Sequence, residues 1–206
     1  MSFYEEFILP RCINCACGSK PIMRQREKVV PLAEGTVLEI GIGTGLNLRY
    51  YDPGRVDRVI GLDPSEASWA IARKNNPELP FDLDFVGLPG EEIPLDENSV
   101  DTVLVTYALC TIPDPVTALK GMRRVLKADG KLVFCEHGEA PDPGVRKWQD
   151  RINPLWSRLA GGCNLNRPIP ALVKSGGFSM DSLETMYLPS TPKFAGYNFW
   201  GTATIA

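Results

Sequence analysis

Residues 39–45 read Glu-Ile-Gly-Ile-Gly-Thr-Gly and carry the clearest chemical signal in the chain. Glycines let a chain turn tightly and let a ligand approach the backbone closely. Backbone N–H groups at the start of the helix predicted after the glycines would face an anionic or electron-rich group. We therefore expect Gly41, Gly43, Thr44 and Gly45 to line a small-molecule site.

Two acidic residues narrow the choice of ligand. Glu39 ends the first predicted strand, where it would repel a pyrophosphate but attract an α-amino group. Asp63 ends the second predicted strand, where it can accept hydrogen bonds from both hydroxyls of a ribose. The spacing E-x-G-x-G-x-G also differs from the G-x-G-x-x-G of dinucleotide-binding proteins. These features favour S-adenosylmethionine (AdoMet), which carries an amino group and a ribose but no phosphate.

The single histidine, His137, follows the fifth predicted strand, directly after Glu136. An imidazole titrates near neutral pH, so His137 is a candidate general base for a nucleophile that must lose a proton. The alternative is that His137 only hydrogen-bonds a loop or the substrate. A thiol acceptor, with a pKa of about 8.5, ionises readily and needs little help from a base.

The six cysteines do not predict a metal site. Three of them form a C-x-x-C-x-C pattern in a predicted N-terminal helix, and no fourth ligand stands at a spacing typical of zinc. We expect reduced thiols, as in a cytosolic protein, with no bound metal. Packing roles are expected for Cys110 and Cys163.

The elements that position these residues follow an α/β pattern. Five short apolar segments are predicted strands: residues 36–40, 56–62, 81–86, 101–106 and 131–136. Helical patterns lie between them at residues 45–51, 65–75 and 114–126. Strands alternating with helices predict a parallel sheet built from right-handed crossovers.

The N-terminal segment is expected to form a lid over the ligand, and the C-terminal segment is expected to add the last strands of the sheet. Residues 1–34 are predicted to be helical and to cover the ligand, with Tyr4 closing over it. A later helical stripe that includes Trp148 is expected to break at Pro154. Residues 180–188 and 197–205 are predicted to be a closing pair of strands.

Four sequence segments in this order resemble the class I AdoMet-dependent methyltransferases: VLEIGIGTG, GLDPS, PGEEIPL and DTVLVTYALC. Later segments, FCEHG and GGCNLNR among them, resemble a small bacterial subgroup of this class and the animal methyltransferase-like proteins that methylate alkyl thiols. The resemblance implies a three-layer Rossmann-like sandwich. Its seven-stranded sheet would have the order 3-2-1-4-5-7-6, mostly parallel with an antiparallel last strand.

The resemblance also implies roles for individual residues. The glycines at 41, 43 and 45 would line the methionine part of AdoMet, Glu39 would hold its amine, and Asp63 would take the ribose. The remaining implied contacts are to adenine by Pro64, Gly90 and Glu91, and to the methionyl group by Tyr107 and Leu109. Many class I enzymes have an acidic residue followed by a small one after the third strand, whereas this chain reads Pro89-Gly90-Glu91.

Composition limits the partners. The chain of 206 residues suits one domain, and 22 basic against 25 acidic side chains give a net charge of -3, which argues against nucleic acid. No apolar run is long enough to span a bilayer, and the N-terminus lacks the pattern of a secretory signal, so cytoplasmic residence is expected. A basic segment is interpreted as a solvated helix face, with contact to an anionic ligand or a membrane surface as the alternative: Lys20, Arg24, Arg26 and Lys28.

Two other functions are alternatives to methyl transfer, an oxidoreductase and a non-catalytic AdoMet-binding protein. A short-chain nicotinamide-dependent oxidoreductase needs a Tyr-x-x-x-Lys pair, which this sequence lacks. A non-catalytic AdoMet-binding protein stays open, as does the oligomeric state. Among small-molecule acceptors, a thiol is expected first, and a phospholipid amine or a quinone-like ring second. The N/D-P-P-Y/F signature of amide and nucleobase methylation is missing after the fourth strand.

Overall fold

Seven strands form one sheet in the order β3-β2-β1-β4-β5-β7-β6. The structure is a computed structural model and describes residues 9–206. The strands are β1 (Gly35–Ile40), β2 (Val56–Leu62), β3 (Asp82–Val86), β4 (Val100–Thr106), β5 (Leu126–His137), β6 (Phe178–Tyr187) and β7 (Tyr197–Ile205). Strands β1 to β5 run parallel, whereas β7 pairs antiparallel with both β5 and β6. The predicted strand order and orientation are confirmed.

The helices cover both faces of this sheet. They are α1 (Leu9–Cys17), α2 (Lys20–Val29), α3 (Glu66–Asn75), α4 (Pro115–Val125), α5 (Pro143–Leu159), α6 (Ile169–Ser175) and α7 (Lys193–Gly196). Capping follows the sequence: Ser65 accepts the N–H of Ser68 at the start of α3, and Asp114 accepts the N–H of Thr117 at the start of α4.

The core is divided into two apolar clusters, one on each face of the sheet. In β4, Val103 belongs to the cluster that packs against α4 and α6, whereas Leu104 belongs to the cluster beneath α2. Neighbouring residues of a strand point to opposite faces, so both are buried. Covering on both faces explains why the central strands are almost continuously apolar.

Two local predictions were wrong. Residues 45–51 were predicted as a helix, but only a 3-10 turn forms, at Leu48–Tyr50. Gly45 has φ +74°, which a right-handed helix cannot use. Helix α5 was predicted to break at Pro154, yet it continues through that residue. Pro154 is exposed, so water can bond the carbonyl that has lost its N–H partner.

The N-terminal helices lie at the carboxyl edge of the sheet. Tyr4, the residue expected to close the lid, lies outside the described residues. Within residues 9–206, none of the helices is long and apolar enough to cross a membrane. Trp148, which lies in the predicted helical stripe, is 61% exposed on α5.

Candidate functional site

The glycine loop (residues 41–45) turns sharply at the carboxyl end of β1. Gly41, Gly43 and Gly45 have φ values of +71°, +51° and +74°, the left-handed region that favours glycine. A Cβ at Gly41 would lie 2.6 Å from the Cβ of Ala108, so only glycine fits there. A Cβ at Gly43 would approach Asp63 Oδ2 at 3.9 Å. The loop therefore presents bare backbone at the edge of the sheet.

Asp63 stands beside this loop, at the end of β2. Its Oδ2 accepts the N–H of Gly43 at 2.9 Å, and its Oδ1 accepts the N–H of Ser65 at 2.8 Å. Burial raises the pKa of this carboxyl, although the two backbone hydrogen bonds oppose the shift. The next residue, Pro64, is exposed. The carboxylate is thus fixed between the glycine loop and the start of α3.

Glu39 lies beneath the glycine loop and is 1% exposed. Its Oε1 accepts a hydrogen bond from Asn47 Nδ2 at 2.9 Å, and its Oε2 accepts one from the Tyr51 hydroxyl at 2.7 Å. Burial raises the pKa of Glu39 to about 7 despite these bonds. Both carboxyl oxygens already have protein partners, so the expected contact with an amine stays a prediction.

Arg26 of α2 completes this network, and the sequence reading missed it. Its Nη1 donates to Asn47 Oδ1 at 2.8 Å and to Thr106 Oγ1 at 2.7 Å. The guanidinium also lies 5.1 Å from the ring centre of Tyr107. The other three cations of the basic segment are exposed, but Arg26 is 5% exposed. The signal was helical spacing, because Arg26 shares a face of α2 with Val29, three residues on.

The segment after β4 is held by charged side chains from elsewhere in the chain. Glu136, fully buried, accepts the N–H groups of Ala108 and Leu109 through Oε1, at 2.7 and 2.9 Å. Arg167 donates to the carbonyl of Leu109. The Leu109 side chain lies in the core, so both its backbone and its side chain are already engaged. Glu136 therefore shapes this loop.

Tyr107 begins that segment in the left-handed region, with φ +54°. Its hydroxyl donates to Asn198 Oδ1 at 2.6 Å, across the sheet on β7. Its ring lies 6.5 Å from the ring of His137, centre to centre, with 19° between their planes. Tyr107 therefore stands between the Arg26 network and the end of β5.

The segment after β3 is close-packed. Gly90 is buried, and a Cβ there would meet Ile112 Cδ1 at 2.8 Å. Glu91 Oε1 accepts the N–H of Asp114 at 3.0 Å, at the start of α4. This hydrogen bond engages one oxygen of Glu91, so its expected contact with adenine stays a prediction. The rings of Trp69 and Phe85 stack nearby, 4.5 Å apart.

Helix α1 reaches the glycine loop from the N-terminal side. The Thr44 hydroxyl donates to Asn14 Oδ1 at 2.5 Å. Cys17, at the end of α1, is partly buried, and its burial raises its pKa. The positive charge of Arg26 on α2 opposes this shift. The contact between Asn14 and Thr44 brings α1 against the glycine loop, at the carboxyl edge of the sheet.

Three side chains from distant parts of the sequence meet at the opposite end of this edge. Cys110 follows β4, His137 ends β5 and Cys163 lies between α5 and α6; we call them the Cys–His cluster. Their ligand-type atoms all lie within 4.8 Å of one another. Cys163 Sγ is 3.2 Å from His137 Nε2. The sequence predicts packing roles for Cys110 and Cys163 and does not indicate that they lie beside His137.

Burial and neighbouring groups set the pKa values of His137 and Cys163 in the Cys–His cluster. Burial lowers the pKa of His137, but the hydrogen bond to Cys163 and the nearby charge of Glu136 oppose it, and the pKa is raised overall. The neighbouring Cys110 thiol and burial raise the pKa of Cys163. The Cys163 thiol therefore stays protonated at neutral pH.

These features fit AdoMet. Bare glycine backbone with a carboxylate beside it suits the methionine and ribose parts of the molecule, because no Cβ blocks the approach. Ligands of open α/β sheets bind outside the carboxyl ends of the strands, where this loop lies. The Cys–His cluster lies along the same edge, at the ends of β4 and β5. The edge can therefore hold a methyl donor at one end and its acceptor at the other.

Comparisons with known proteins agree with this geometry. Residues 38–134 match a family model described as a methyltransferase domain. Thiol S-methyltransferase TMT1B of Homo sapiens is 34% identical over 170 residues, which cover 78% of this chain and 68% of that protein. Thiol S-methyltransferase TMT1A of Homo sapiens is 31% identical over 178 residues, covering 84% and 72%.

Solved structures share the fold. A putative methyltransferase, solved with the Haloferax volcanii Trm112 activator, has a TM-score of 0.72 at 17% identity and covers 98% of this chain and 96% of its own. A geranyl diphosphate methyltransferase solved with S-adenosylmethionine has a TM-score of 0.70 at 14% identity, covering 89% and 85%. Sequence relatives and fold together show that the chain belongs to the class I AdoMet-dependent methyltransferases and is a methyltransferase.

Proposed function

We propose that this methyltransferase transfers the methyl group of AdoMet to the sulfur of a small thiol. The observation that carries the proposal is the extent of the likeness to thiol S-methyltransferases. Those relatives align with 78% to 84% of this chain. Demethylmenaquinone methyltransferases align with 48% to 59% of it. The likeness to the thiol enzymes therefore extends over more of this chain than the likeness to the menaquinone enzymes.

On the donor side, AdoMet supplies a methyl group already activated on a sulfonium, so the protein chiefly aligns and shields it. The glycine loop, with Thr44, would receive the methionine part, with Glu39 supporting the loop from below. Asp63 would accept the ribose hydroxyls. The residues assigned to adenine are Pro64, Gly90 and Glu91, and those assigned to the methionyl group are Tyr107 and Leu109.

Helices α1 and α2 would exclude water from this site. The contact of Asn14 with Thr44 places α1 over the glycine loop. Arg26 of α2 ties the network under the loop to Tyr107. Water exclusion favours transfer to the acceptor and strengthens the electrostatic interactions inside the site. We therefore assign residues 9–34 to a lid that forms part of the single domain.

On the acceptor side, the reacting species is a thiolate. A thiol must lose its proton before it attacks, because the thiolate is the nucleophile. Of the candidate groups at the end of β5, the imidazole of His137 lies at the edge, whereas Glu136 is buried and bonded to the β4 loop. We therefore assign activation of the acceptor thiol to the surroundings of His137.

An acceptor panel with methyl-labelled AdoMet tests the proposal. It would include an alkyl thiol, an aryl thiol, a phospholipid amine and a demethylated quinone ring. We expect label in a thioether product, and little label in the matched alcohol, since oxygen keeps its proton at neutral pH. Label only in the ring or the amine would contradict the thiol assignment and leave the methyltransferase intact.

A further inference from the structure

The atoms of the Cys–His cluster have the separations of a metal site. A tetrahedral zinc ion, with bonds of about 2.3 Å to sulfur and about 2.0 Å to nitrogen, holds its ligand atoms about 3.5–3.8 Å apart. Here the Cys163 Sγ to His137 Nε2 distance is 3.2 Å, and all three ligand atoms lie within 4.8 Å. Changes of at most about 1.3 Å in these separations would bring the three atoms onto one ion.

The backbone holds the three residues in place. His137 ends β5 and is paired with Asn198 of β7. The Cys163 loop is tied to the Cys110 segment, because Asn164 donates both its backbone N–H and its Nδ2 to the Cys110 carbonyl, at 2.8 and 3.1 Å. The loop geometry needs Gly161 and Gly162, which have φ values of +60° and +87°. The cluster is therefore pre-organised rather than an accident of flexible side chains.

The donor set selects a class of metal. Two thiols and one imidazole suit zinc and other borderline or soft ions, and they do not suit calcium or magnesium. Within residues 9–206, the buried His137 Nδ1 has no hydrogen-bond partner. An unpaired buried polar atom on this ring indicates that a ligand or ordered water completes its surroundings.

The cluster also has an open side. Cys110 is buried, but His137 and Cys163 are partly exposed, so an ion can enter. Catalytic zinc sites use three protein ligands and keep a fourth position for water or substrate. Cys17, which is partly buried at the end of α1, is not among these three residues, so a bond from it to the ion would close the site.

We propose that Cys110 Sγ, His137 Nε2 and Cys163 Sγ bind one zinc-class divalent ion, whose fourth position takes the acceptor as its thiolate. The metal site stands on the geometry above, whereas the role of the fourth position rests on the proposed thiol acceptor. The ion activates the acceptor by coordinating it, and His137 acts as a ligand rather than as the base.

The reaction balances without another co-reactant. On coordination, the acceptor S–H bond breaks and its proton goes to solvent. A thiolate electron pair then forms the new S–CH3 bond, while the bond between that methyl carbon and the sulfonium breaks and leaves its electron pair on S-adenosylhomocysteine. The product is a neutral thioether, a weaker zinc ligand than a thiolate, so it leaves the ion.

Metal titration of the full chain tests the site without reference to activity. The protein would be prepared reduced and metal-free and titrated with Zn²⁺ against a chromophoric chelator. We expect one ion per chain, and a dissociation constant raised by more than about tenfold in Cys163→Ser and in His137→Ala, given the 10–100-fold cost of losing even an outer-sphere contact. Cys12→Ser, which changes an exposed thiol, is the matched control.

AdoMet affinity shows whether each variant is folded. Wild-type protein that binds no ion, or a Cys163→Ser variant that binds AdoMet and zinc as wild type does, would overturn the site. Unchanged zinc affinity in Cys17→Ser supports the open fourth position. Loss of the ion in that variant would show four protein ligands and overturn the acceptor role.

Cobalt substitution tests the fourth position. Co²⁺ in a tetrahedral thiolate site absorbs strongly in the visible range. We expect an alkyl thiol, but not the matched alcohol, to shift this spectrum and to add one thiolate-to-metal band. An unchanged spectrum, with thiols still methylated at the wild-type rate after chelation, would refute the metal role while the proposed function stood. A ring or amine product beside an intact metal titration would refute the thiol function instead.

Discussion

The two ends of the ligand edge are built by different means. At the β1–β2 end, the glycine loop is a backbone feature: three glycines with positive φ present bare peptide groups beside Asp63. At the β4–β5 end, the Cys–His cluster is a side-chain feature, assembled from segments as far apart as Cys110 and Cys163. The first end depends on the backbone conformation of one short segment, whereas the second depends on side chains from segments that are distant in sequence.

This difference separates donor binding, the constant part of the function, from acceptor chemistry, the part that can vary. A backbone cradle recognises the donor by shape and tolerates few substitutions, since any Cβ at Gly41 overlaps Ala108. A side-chain cluster can change its chemistry by one substitution without disturbing the sheet. Variants at the two ends should therefore affect donor binding and acceptor turnover separately.

The largest effect is expected from Gly41→Val. Left-handed strain of about 1–2 kcal/mol and overpacking of about 1–3 kcal/mol oppose the present position of the loop, so we expect it to shift away from Ala108 in the free protein. Donor binding must return the loop to that position, so this cost of about 2–5 kcal/mol predicts a loss of AdoMet affinity of about 30- to 5000-fold. Calorimetric titration measures it. Gly144→Val is the matched control, because a Cβ at Gly144 has no neighbour within 4 Å. A loss below tenfold would show that the glycine loop does not hold the donor.

His137→Ala is expected to have the next largest effect, at the other end of the edge. Thiol turnover should fall about 100-fold, the usual range for losing an activating group, while AdoMet affinity stays within about twofold. Steady-state kinetics and calorimetry separate the two quantities. Asn166→Ala, which alters a surface contact with Asp150, is the control. Wild-type turnover at every pH would rule out any role for His137.

Asp63→Asn is expected to weaken AdoMet binding about tenfold, because hydrogen bonds to a charged group contribute about 1.5–3 kcal/mol and the amide retains part of them. The same calorimetric titration applies. Asp84→Asn, on an exposed strand position, should leave the affinity unchanged. Equal affinity for Asp63→Asn and wild type would remove the ribose assignment.

Glu39→Gln is expected to have the smallest effect on AdoMet binding. Its main effect should be on the pH dependence of the free energy of unfolding, because Glu39 is buried beneath the glycine loop. The folded pKa of Glu39 is raised from 4.5 to about 7, so its contribution to stability is complete below about pH 4.5 and is lost as the pH rises towards 7. The free energy of unfolding of wild type should fall by about 3 kcal/mol relative to the variant over that window.

Denaturant unfolding at several pH values measures this difference. Glu27→Gln, an exposed change on α2, should follow wild type at every pH. Parallel curves for wild type and Glu39→Gln would mean that Glu39 is already ionised in the folded protein. AdoMet affinity at pH 8 should differ little between the two, since both side chains can bond Asn47.

The sequence was most informative where function depends on contiguous residues. The parallel strands and the glycine loop follow from local spacing, whereas the strand order was predicted from the resemblance to the methyltransferase family. The Cys–His cluster was missed because its residues are brought together by the sheet and by the Asn164 bonds to Cys110, which no spacing reveals. Arg26 was misread because charge was weighed before its position on the buried face of α2.

The most direct test of this division is a crystal structure of the protein with S-adenosylhomocysteine. The account predicts the amino acid part along the glycine loop, the ribose hydroxyls on Asp63, and the sulfur facing the Cys–His cluster across Tyr107. A product bound with its sulfur turned away from His137, or bound elsewhere on the sheet, would contradict the assignment of donor and acceptor to the two ends.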